Sequence, residues 1–214
     1  MAGRPQAKAT GELAVSVFSY TYKNAERPAL EIESLVFPQK AVIAIVGKNG
    51  AGKSTFAKCL CGQEKKCHGE VHTTKGVLKN RQLLKRNCMV MQDVNHQLFT
   101  ESVLDEVLLG MKEPSGEKQR VAIAGTLASG RNTILFYEPT SGLDLSHMRE
   151  VAAVLQKLSA QGKTVFINTH GLELILACGT HALHLDDVKA VFACGYTPTF
   201  DDGRPCDTLL QDAL

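Results

Sequence analysis

The sequence contains 214 residues, of which 24 are basic and 22 acidic, giving a formal net charge of +2, and 44% are hydrophobic. This balance is typical of a globular domain and excludes a collagen, a coiled coil and a disordered chain. The longest apolar run, residues 41–46, is far too short to cross a bilayer. The near-neutral charge predicts no nucleic-acid surface, and the polar start of the chain, which lacks an apolar segment, is not expected to be a secretory signal. We therefore expect one domain that reaches a membrane only through a partner and binds no nucleic acid.

Hydrophobic periodicity predicts strands and helices that alternate along the chain. Residues 13–20 alternate apolar and polar side chains, as in a half-buried strand, whereas residues 41–46 are continuously apolar, as in a strand covered on both faces. Further strands are predicted at residues 30–37, 133–137, 163–169, 182–185 and 188–194, and helices from the glycine-rich loop to about 60 and at 116–128, 146–162 and 172–178. Ser146 is the predicted N-cap of the helix at 146–162. Apolar strands alternating with helices predict an α/β fold with a parallel or mixed sheet.

Polar stretches interrupt this pattern in the middle and at both ends. Residues 69–91 predict short strands around a solvated basic loop, whose charged residues are Lys79, Arg81, Lys85 and Arg86. Residues 1–12 are predicted to be an N-terminal tail, and the polar residues 196–214 are expected to be a loosely held C-terminal tail. The predicted domain is therefore 13–195.

The seven cysteines indicate reduced thiols rather than a disulfide framework, because their number is odd and the hydrophobic core is of ordinary size. Cys59, Cys61, Cys67 and His68 are close together in the sequence, but their spacing matches no zinc site. On a helix, Cys59 and Cys61 would point to different sides. We expect small buried thiols and no metal at this cluster.

Residues 47–54, GKNGAGKS, match the phosphate-binding pattern G-x-x-x-x-G-K-[ST] between a buried strand and a helix. Its glycines allow backbone turns that point N–H groups inward, and the N-terminus of the helix faces the same anion. Lys53 is predicted to reach the β- and γ-phosphates, and the Ser54 hydroxyl to bind Mg²⁺. The predicted nucleotide-binding residues of this loop are Gly47, Asn49, Gly50, Ala51, Gly52, Lys53, Ser54 and Thr55. The sequence therefore predicts a nucleotide site.

Four later segments narrow the class of nucleotide-binding protein. They are VMQD at 90–93, SGEKQRVAIAGTLA at 115–128, ILFYEPTSGLD at 134–144 and VFINTH at 165–170. In this order they resemble the ATP-binding subunits of ABC transporters over nearly the whole chain. The stretches NHQLF and VLDEV that follow the first segment make the chain most similar to the ATPases of energy-coupling factor importers, which take up cobalt, nickel or vitamins.

The resemblance implies roles for the residues that match family motifs. Gln92 would be the Q-loop glutamine, which senses Mg²⁺ or the attacking water. Glu138 would act on that water as general base. His170 would contact the γ-phosphate, and Asp144 would lie at the interface with a second subunit. ATP and Mg²⁺ are the implied cofactors.

The implied fold is an α/β P-loop core of ABC type with an antiparallel β part at the N-terminus. From that β part Tyr22, ahead of Tyr20, is the better candidate to stack on adenine, although either tyrosine could simply pack in its strand. Relatives place a helical subdomain between Gln92 and the signature region. Here that subdomain, at about 93–116, is expected to be shortened.

Two residues beside the implied catalytic groups depart from the family motifs. Tyr137 stands where relatives carry an aspartate that supports Mg²⁺, and an uncharged phenol cannot supply that negative charge. Gly171 replaces the aspartate that commonly follows the histidine. We expect metal positioning to suffer, while the general base Glu138 is retained.

The LSGGQ signature of the family is altered as well. Alignment without a gap from the matching KQR places residues 113–117, EPSGE, at the signature, with Pro114 at the position of the family serine. A one-residue gap instead makes Ser115 and Gly116 the Ser-Gly pair that covers the nucleotide of the opposite subunit. In either alignment Glu117 brings a negative charge near that nucleotide, which opposes the contact.

These observations predict an ATP-binding and ATP-hydrolysing subunit of an energy-coupling factor importer. It would pair head to tail with a second ATPase subunit and act on a transmembrane coupling protein from the cytoplasmic face of the membrane. The alternative is a regulatory subunit that binds nucleotide without hydrolysing it, because several altered residues share one site. A chromosome or DNA-repair ATPase would need a long coiled coil between its halves, and the sequence has no room for one. A P-loop kinase or GTPase would need an acceptor site or a base-reading motif, and neither is visible.

Overall fold

The computed structural model of the chain describes residues 13–90, 130–140 and 143–193. Its strands are β1 (Leu13–Tyr20), β2 (Leu30–Phe37), β3 (Val42–Val46), β4 (His68–Thr73), β5 (Gly76–Leu78), β6 (Asn87–Val90), β7 (Thr133–Tyr137), β8 (Thr164–Asn168), β9 (His181–Asp186) and β10 (Lys189–Ala193). Its helices are α1 (Lys53–Leu60), α2 (Asn80–Arg86), α3 (Leu145–Ala160) and α4 (Leu172–Cys178). The predicted tails, the helix at 116–128 and the shortened subdomain at 93–116 lie outside the described residues.

The strands form two sheets. A four-stranded antiparallel sheet has the order β2-β1-β4-β5, and a six-stranded sheet has the order β10-β9-β3-β8-β7-β6. In the six-stranded sheet every neighbouring pair is parallel except the pair of β9 with β10. The predicted α/β fold with a mixed sheet and an antiparallel N-terminal part is confirmed.

Strand β3 lies at the centre of the large sheet and is buried along its whole length. Its alternating side chains face two separate hydrophobic clusters, because successive residues of a strand point to opposite faces. Ile43 and Ile45 pack in the cluster that contains Phe56 of α1, between the two sheets. Val42 and Val46 pack in the cluster that contains Leu155 of α3, on the opposite face. The continuous apolar run thus reflects a strand that is covered on both sides.

The parallel register brings the carboxyl ends of β3, β8 and β7 to one edge of the sheet. Ile45 pairs with Asn168, and Tyr137 pairs with Asn168 from the other side. The glycine-rich loop, Glu138 and Thr169 therefore follow three adjacent strands and converge at this edge. Ligands of open α/β sheets bind outside the carboxyl ends of the strands.

The predicted basic loop proved wrong, since this segment contains helix α2. Leu83 is buried in the core between the two sheets, while Arg81 and Lys85 are exposed. The Lys79 backbone N–H donates to the Gln82 side-chain oxygen at 2.9 Å, which supports the first turn. The basic residues are solvated as predicted, but one buried leucine is enough to hold a short helix against the core.

The predicted N-cap of α3 was also wrong. Helix α3 begins at Leu145, and the carboxylate of Asp144 accepts the His147 backbone N–H at 2.9 Å. Hydrogen bonds from His147 lower the pKa of Asp144, because they favour the charged carboxylate. Ser146 lies inside the first turn. Aspartate and serine are similarly good caps, so the sequence pattern alone did not distinguish them.

No helix among the described residues is both long and apolar enough to span a membrane.

Gly47 is expected to be required for folding as well as for binding. Its φ is +139°, and a Cβ atom would collide with the backbone carbonyl oxygen of Leu185. Gly50 also has a positive φ, +85°, but a Cβ there would meet nothing within 4 Å. Gly47→Ala should lower the free energy of unfolding by about 3 kcal/mol, whereas Gly50→Ala should cost about 1 kcal/mol. Denaturant unfolding measures both, and equal losses would contradict the clash at Gly47.

Candidate functional site

The glycine-rich loop joins β3 to α1 through backbone turns that other residues rarely adopt. Gly50 and Gly52 have φ values of +85° and +98°. Gly52 is the N-cap of α1, no side chain caps the helix, and its first turn contains no acidic residue. The first N–H groups of a helix lack intrahelical partners and carry a partial positive charge. This end of α1 is therefore suited to bind an anion such as a phosphate.

Lys53 lies beneath the loop and is only 8% exposed. Its ammonium group donates to the backbone carbonyl oxygens of Gly47 and Lys48, the latter at 3.0 Å. Burial lowers the pKa of Lys53, and the nearby Glu138 carboxylate opposes that shift. The ammonium has three N–H donors. One of them can therefore donate to a phosphate oxygen while the others keep donating to the loop carbonyls, or a phosphate oxygen can replace one of these carbonyls as acceptor. The positive charge is thus positioned before any ligand arrives.

Ser54 and Tyr137 meet across the space between α1 and the sheet. The Ser54 hydroxyl and the Tyr137 hydroxyl are 3.1 Å apart, and either can be the donor. Tyr137 is the last residue of β7, and Ser54 is in the first turn of α1. The residue predicted to hold Mg²⁺ is therefore hydrogen-bonded to the residue that replaces the family aspartate.

Glu138 is held in an unusual backbone conformation next to the loop. Its φ is +47°, and its N–H donates to the Asn168 carbonyl oxygen at 2.8 Å. Its side chain is 20% exposed, and one carboxylate oxygen accepts a hydrogen bond from the Thr169 hydroxyl at 3.1 Å. Positive φ in residues other than glycine is strained and clusters at functional sites. The carboxylate is thereby aimed and partly shielded from water.

His170 lies beside Glu138, with Nε2 3.9 Å from the second carboxylate oxygen, and its side chain is 54% exposed. The Thr169 hydroxyl, which donates to Glu138, also accepts the Gly171 backbone N–H at 3.0 Å. Gly171 is the N-cap of α4. The turn between β8 and α4 thus places His170, the predicted γ-phosphate contact, beside Glu138, the predicted general base.

Sequence reasoning missed two residues of this edge, Asn168 and Thr169. Asn168 is buried. Among the described residues, its side-chain oxygen is the one buried side-chain polar atom that has no hydrogen-bond partner. Strand alternation places Asn168 on the same face as Phe166, which contacts Phe56 of α1 with ring centroids 6.1 Å apart. The available signal was two polar residues in succession at the end of an apolar strand.

The two tyrosines of the N-terminal β part have different environments. Tyr20 is buried and donates to a carboxylate oxygen of Glu64 at 2.7 Å, which raises the pKa of Tyr20 to about 12. Tyr22 is 42% exposed, and its hydroxyl lies 3.1 Å from the Thr55 hydroxyl on α1. The two rings meet edge to face at 4.9 Å. Tyr22 therefore presents aromatic surface next to the loop, and its stacking on adenine stays a prediction.

The remaining predicted site residues lie elsewhere on the loop, at the start of α3, or outside the described residues. Asn49 is exposed on the loop, and Ala51 is buried beneath it. Asp144 caps α3, as described above, and its predicted contact with a second subunit stays a prediction. Gln92, Ser115 and Gly116 lie outside the described residues, so their predicted roles stay predictions too.

The described cysteines are free thiols, namely Cys59, Cys61, Cys67, Cys88 and Cys178. A hydrogen bond joins the thiols of Cys59 and Cys67, and it raises the pKa of Cys59 and lowers that of Cys67. Cys61 is buried near Cys88 instead. Within the described ranges, no three His, Cys, Asp or Glu side chains are grouped to hold a metal ion.

Comparison with known proteins places this site in a family. A profile described as "ABC transporter" matches residues 30–115. A cobalt import ATP-binding protein of Rhodobacter capsulatus is 32% identical, with 86% of this chain and 76% of that protein covered. An energy-coupling factor transporter ATP-binding protein of Carboxydothermus hydrogenoformans is 28% identical, with 84% and 80% covered. The solved structure of CbiO1 from Clostridium perfringens has the same fold, with a TM-score of 0.71, 23% identity, and 86% and 88% covered.

Other relatives are much longer than the aligned region. Two proteins of Treponema denticola and one of onion yellows phytoplasma, named as ABC transporter ATP-binding proteins, are 36%, 33% and 32% identical. The alignments cover 36%, 35% and 35% of these proteins, so the chain spans about a third of their length. The matches nonetheless include a relative at 32% identity that the chain covers over most of its length. The chain belongs to the family of ABC transporter ATP-binding proteins.

Proposed function

We propose that this chain binds ATP and hydrolyses it to energise a membrane importer of the energy-coupling factor type. The observation that carries the proposal is the buried Lys53 ammonium beneath the glycine-rich loop, at the uncapped N-terminus of α1. A fixed positive charge, free helix N–H groups and glycine turns together favour a polyphosphate over other anions. The names of the relatives, a cobalt import protein and an energy-coupling factor transporter protein, support the importer.

Hydrolysis would depend on Glu138. Its carboxylate follows the strand next to β8 at the same sheet edge as the loop, and the Thr169 hydroxyl holds one of its oxygens. The other oxygen, 3.9 Å from His170 Nε2, would accept a proton from an attacking water, which is the task of a general base. His170 lies beside this carboxylate, where its imidazole would contact the γ-phosphate that the water attacks. Thr169 acts through Glu138 and is a positioning residue.

The chain would act with two kinds of partner. A second ATPase subunit, a copy or a relative, would supply the signature segment that completes the nucleotide site, and a transmembrane coupling protein would receive the motion. The protein would then be peripheral on the cytoplasmic face of the membrane. Family membership supports a multi-subunit transporter.

A second candidate is a subunit that binds nucleotide without turnover. Tyr137 favours it, because it places an uncharged phenol against the Ser54 hydroxyl, where relatives carry the aspartate that supports Mg²⁺. The two candidates share the nucleotide site and differ only in hydrolysis.

Measurement of ATP binding and ATP turnover distinguishes the candidates. The purified chain should bind ATP, and turnover should rise when it is co-purified with a second ATPase subunit and a multi-span membrane protein encoded beside it. Tight binding without turnover in that complex would select the regulatory subunit. Absence of ATP binding would contradict both.

A further inference from the structure

The Mg²⁺ that accompanies ATP in this family has few ligands among the described residues. Mg²⁺ requires hard oxygen ligands in octahedral geometry and usually takes carboxylates together with phosphate oxygens. The Ser54 hydroxyl is a suitable ligand and keeps its lone pairs when it donates to the Tyr137 hydroxyl at 3.1 Å, but that phenol supplies no negative charge beside it. The carboxylate of Glu138, which follows β7 at this edge, already accepts a hydrogen bond from the Thr169 hydroxyl. These residues do not fit the ion as the family motif would.

The backbone of Tyr137 is fixed in the large sheet. It is the last residue of β7, and its backbone pairs with Asn168 of β8. Its side chain is half-buried and points toward α1, since it contacts Ser54 there. Its neighbour across the strands, Asn168, is buried and also uncharged. An aspartate in place of Tyr137 would have brought a negative charge, whereas Tyr137 and its neighbour Asn168 are both neutral.

The loss of that charge affects ATP with and without its metal in opposite ways. A carboxylate beside the phosphates attracts Mg²⁺ and repels a metal-free triphosphate at short range. A phenol does neither, so metal-bound ATP loses an attraction and metal-free ATP escapes a repulsion. The positive groups that remain, Lys53 and the N-terminus of α1, act on the phosphates whether or not the metal is present.

We propose that Tyr137, hydrogen-bonded to Ser54 in place of an acidic metal support, makes nucleotide binding by this chain nearly independent of Mg²⁺. The inference rests on the proposed nucleotide site and adds that the metal is not what holds the nucleotide there. The triphosphate is retained by the glycine-rich loop and Lys53.

The test is titration of the full chain with a fluorescent ATP analogue in a buffer with excess Mg²⁺ and in one with excess EDTA. The two Kd values should agree within about threefold for the unmodified chain. Tyr137→Asp should make the Kd in EDTA at least about tenfold weaker than the Kd in Mg²⁺. Tyr137→Phe releases the Ser54 hydroxyl without adding a charge, and its two Kd values should stay within about threefold.

Three outcomes would overturn the inference. One is an unmodified chain that binds the analogue at least about tenfold more tightly with Mg²⁺. Another is a folded Tyr137→Asp variant, checked by circular dichroism, whose two Kd values remain equal. The last is Tyr137→Phe behaving like Tyr137→Asp, which would assign the effect to the hydrogen bond rather than to the missing charge. Absence of binding in both buffers would contradict the proposed function itself, and this inference with it.

Discussion

Lys53→Ala is expected to weaken ATP binding at least about 100-fold, because it removes the buried ammonium that faces the phosphates. In the structure this group already donates to two loop carbonyls, so its position costs no further ordering when the nucleotide binds. Removal leaves the backbone N–H groups and the N-terminus of α1 to hold the anion without the buried charge. Isothermal titration of the folded variant with ATP measures the loss.

Lys48→Ala is the matched control for this prediction. Lys48 belongs to the same loop and carries the same charge, but it is exposed, and only its backbone carbonyl contacts Lys53. An exposed charge is screened by solvent, so its removal should change the Kd by no more than about threefold. Equal effects of the two substitutions would mean that net positive charge, rather than the buried ammonium, carries binding.

Glu138→Gln is expected to lower kcat about 1,000-fold while the Kd for ATP changes by no more than about threefold. The amide keeps the shape of the side chain and its hydrogen bond from Thr169, but it cannot take a proton from water. The measurement is steady-state ATP hydrolysis by the assembled complex, together with ATP binding by the same preparation. Undiminished turnover would exclude Glu138 as the base and require another group.

Thr169 offers a sharper form of the same experiment. Thr169→Val keeps the shape of a buried residue but removes the hydroxyl that holds the Glu138 carboxylate, so kcat should fall about tenfold with KM unchanged. Thr169→Ser restores the hydroxyl and should restore kcat. A purely structural role would not discriminate between these two variants in kcat while leaving KM alone.

The secondary structure was largely predictable, because its signals are local. Residues 13–20, 30–37, 133–137 and 172–178 form elements with the bounds that their hydrophobic patterns predicted. Apolar alternation and buried runs each depend only on neighbours in the chain. The failures came where a single contact decided the outcome, as with Leu83, whose burial makes a helix of a basic segment.

The phosphate-binding part of the site was predictable for the same reason. Residues 47–54 are contiguous, and the loop needs its glycines, lysine and serine at set spacings whatever surrounds it. The structure places Lys53 beneath the loop and Glu138 at the neighbouring strand end. Strand order 3-8-7 brings them together, and no local pattern states that order.

By itself the sequence determined that the chain has an α/β fold and that it contains a glycine-rich loop suited to a nucleotide. It also determined that Tyr137 stands where relatives carry an aspartate. Only the tertiary structure decided what that tyrosine contacts. It meets Ser54 across 83 residues of sequence, and Thr169 reaches Glu138 across 31. Such contacts depend on which strands pair and on which face each side chain lies, and these are decided by burial of the whole sheet. The charge and hydrogen bonding of the site follow from that pairing rather than from the motif.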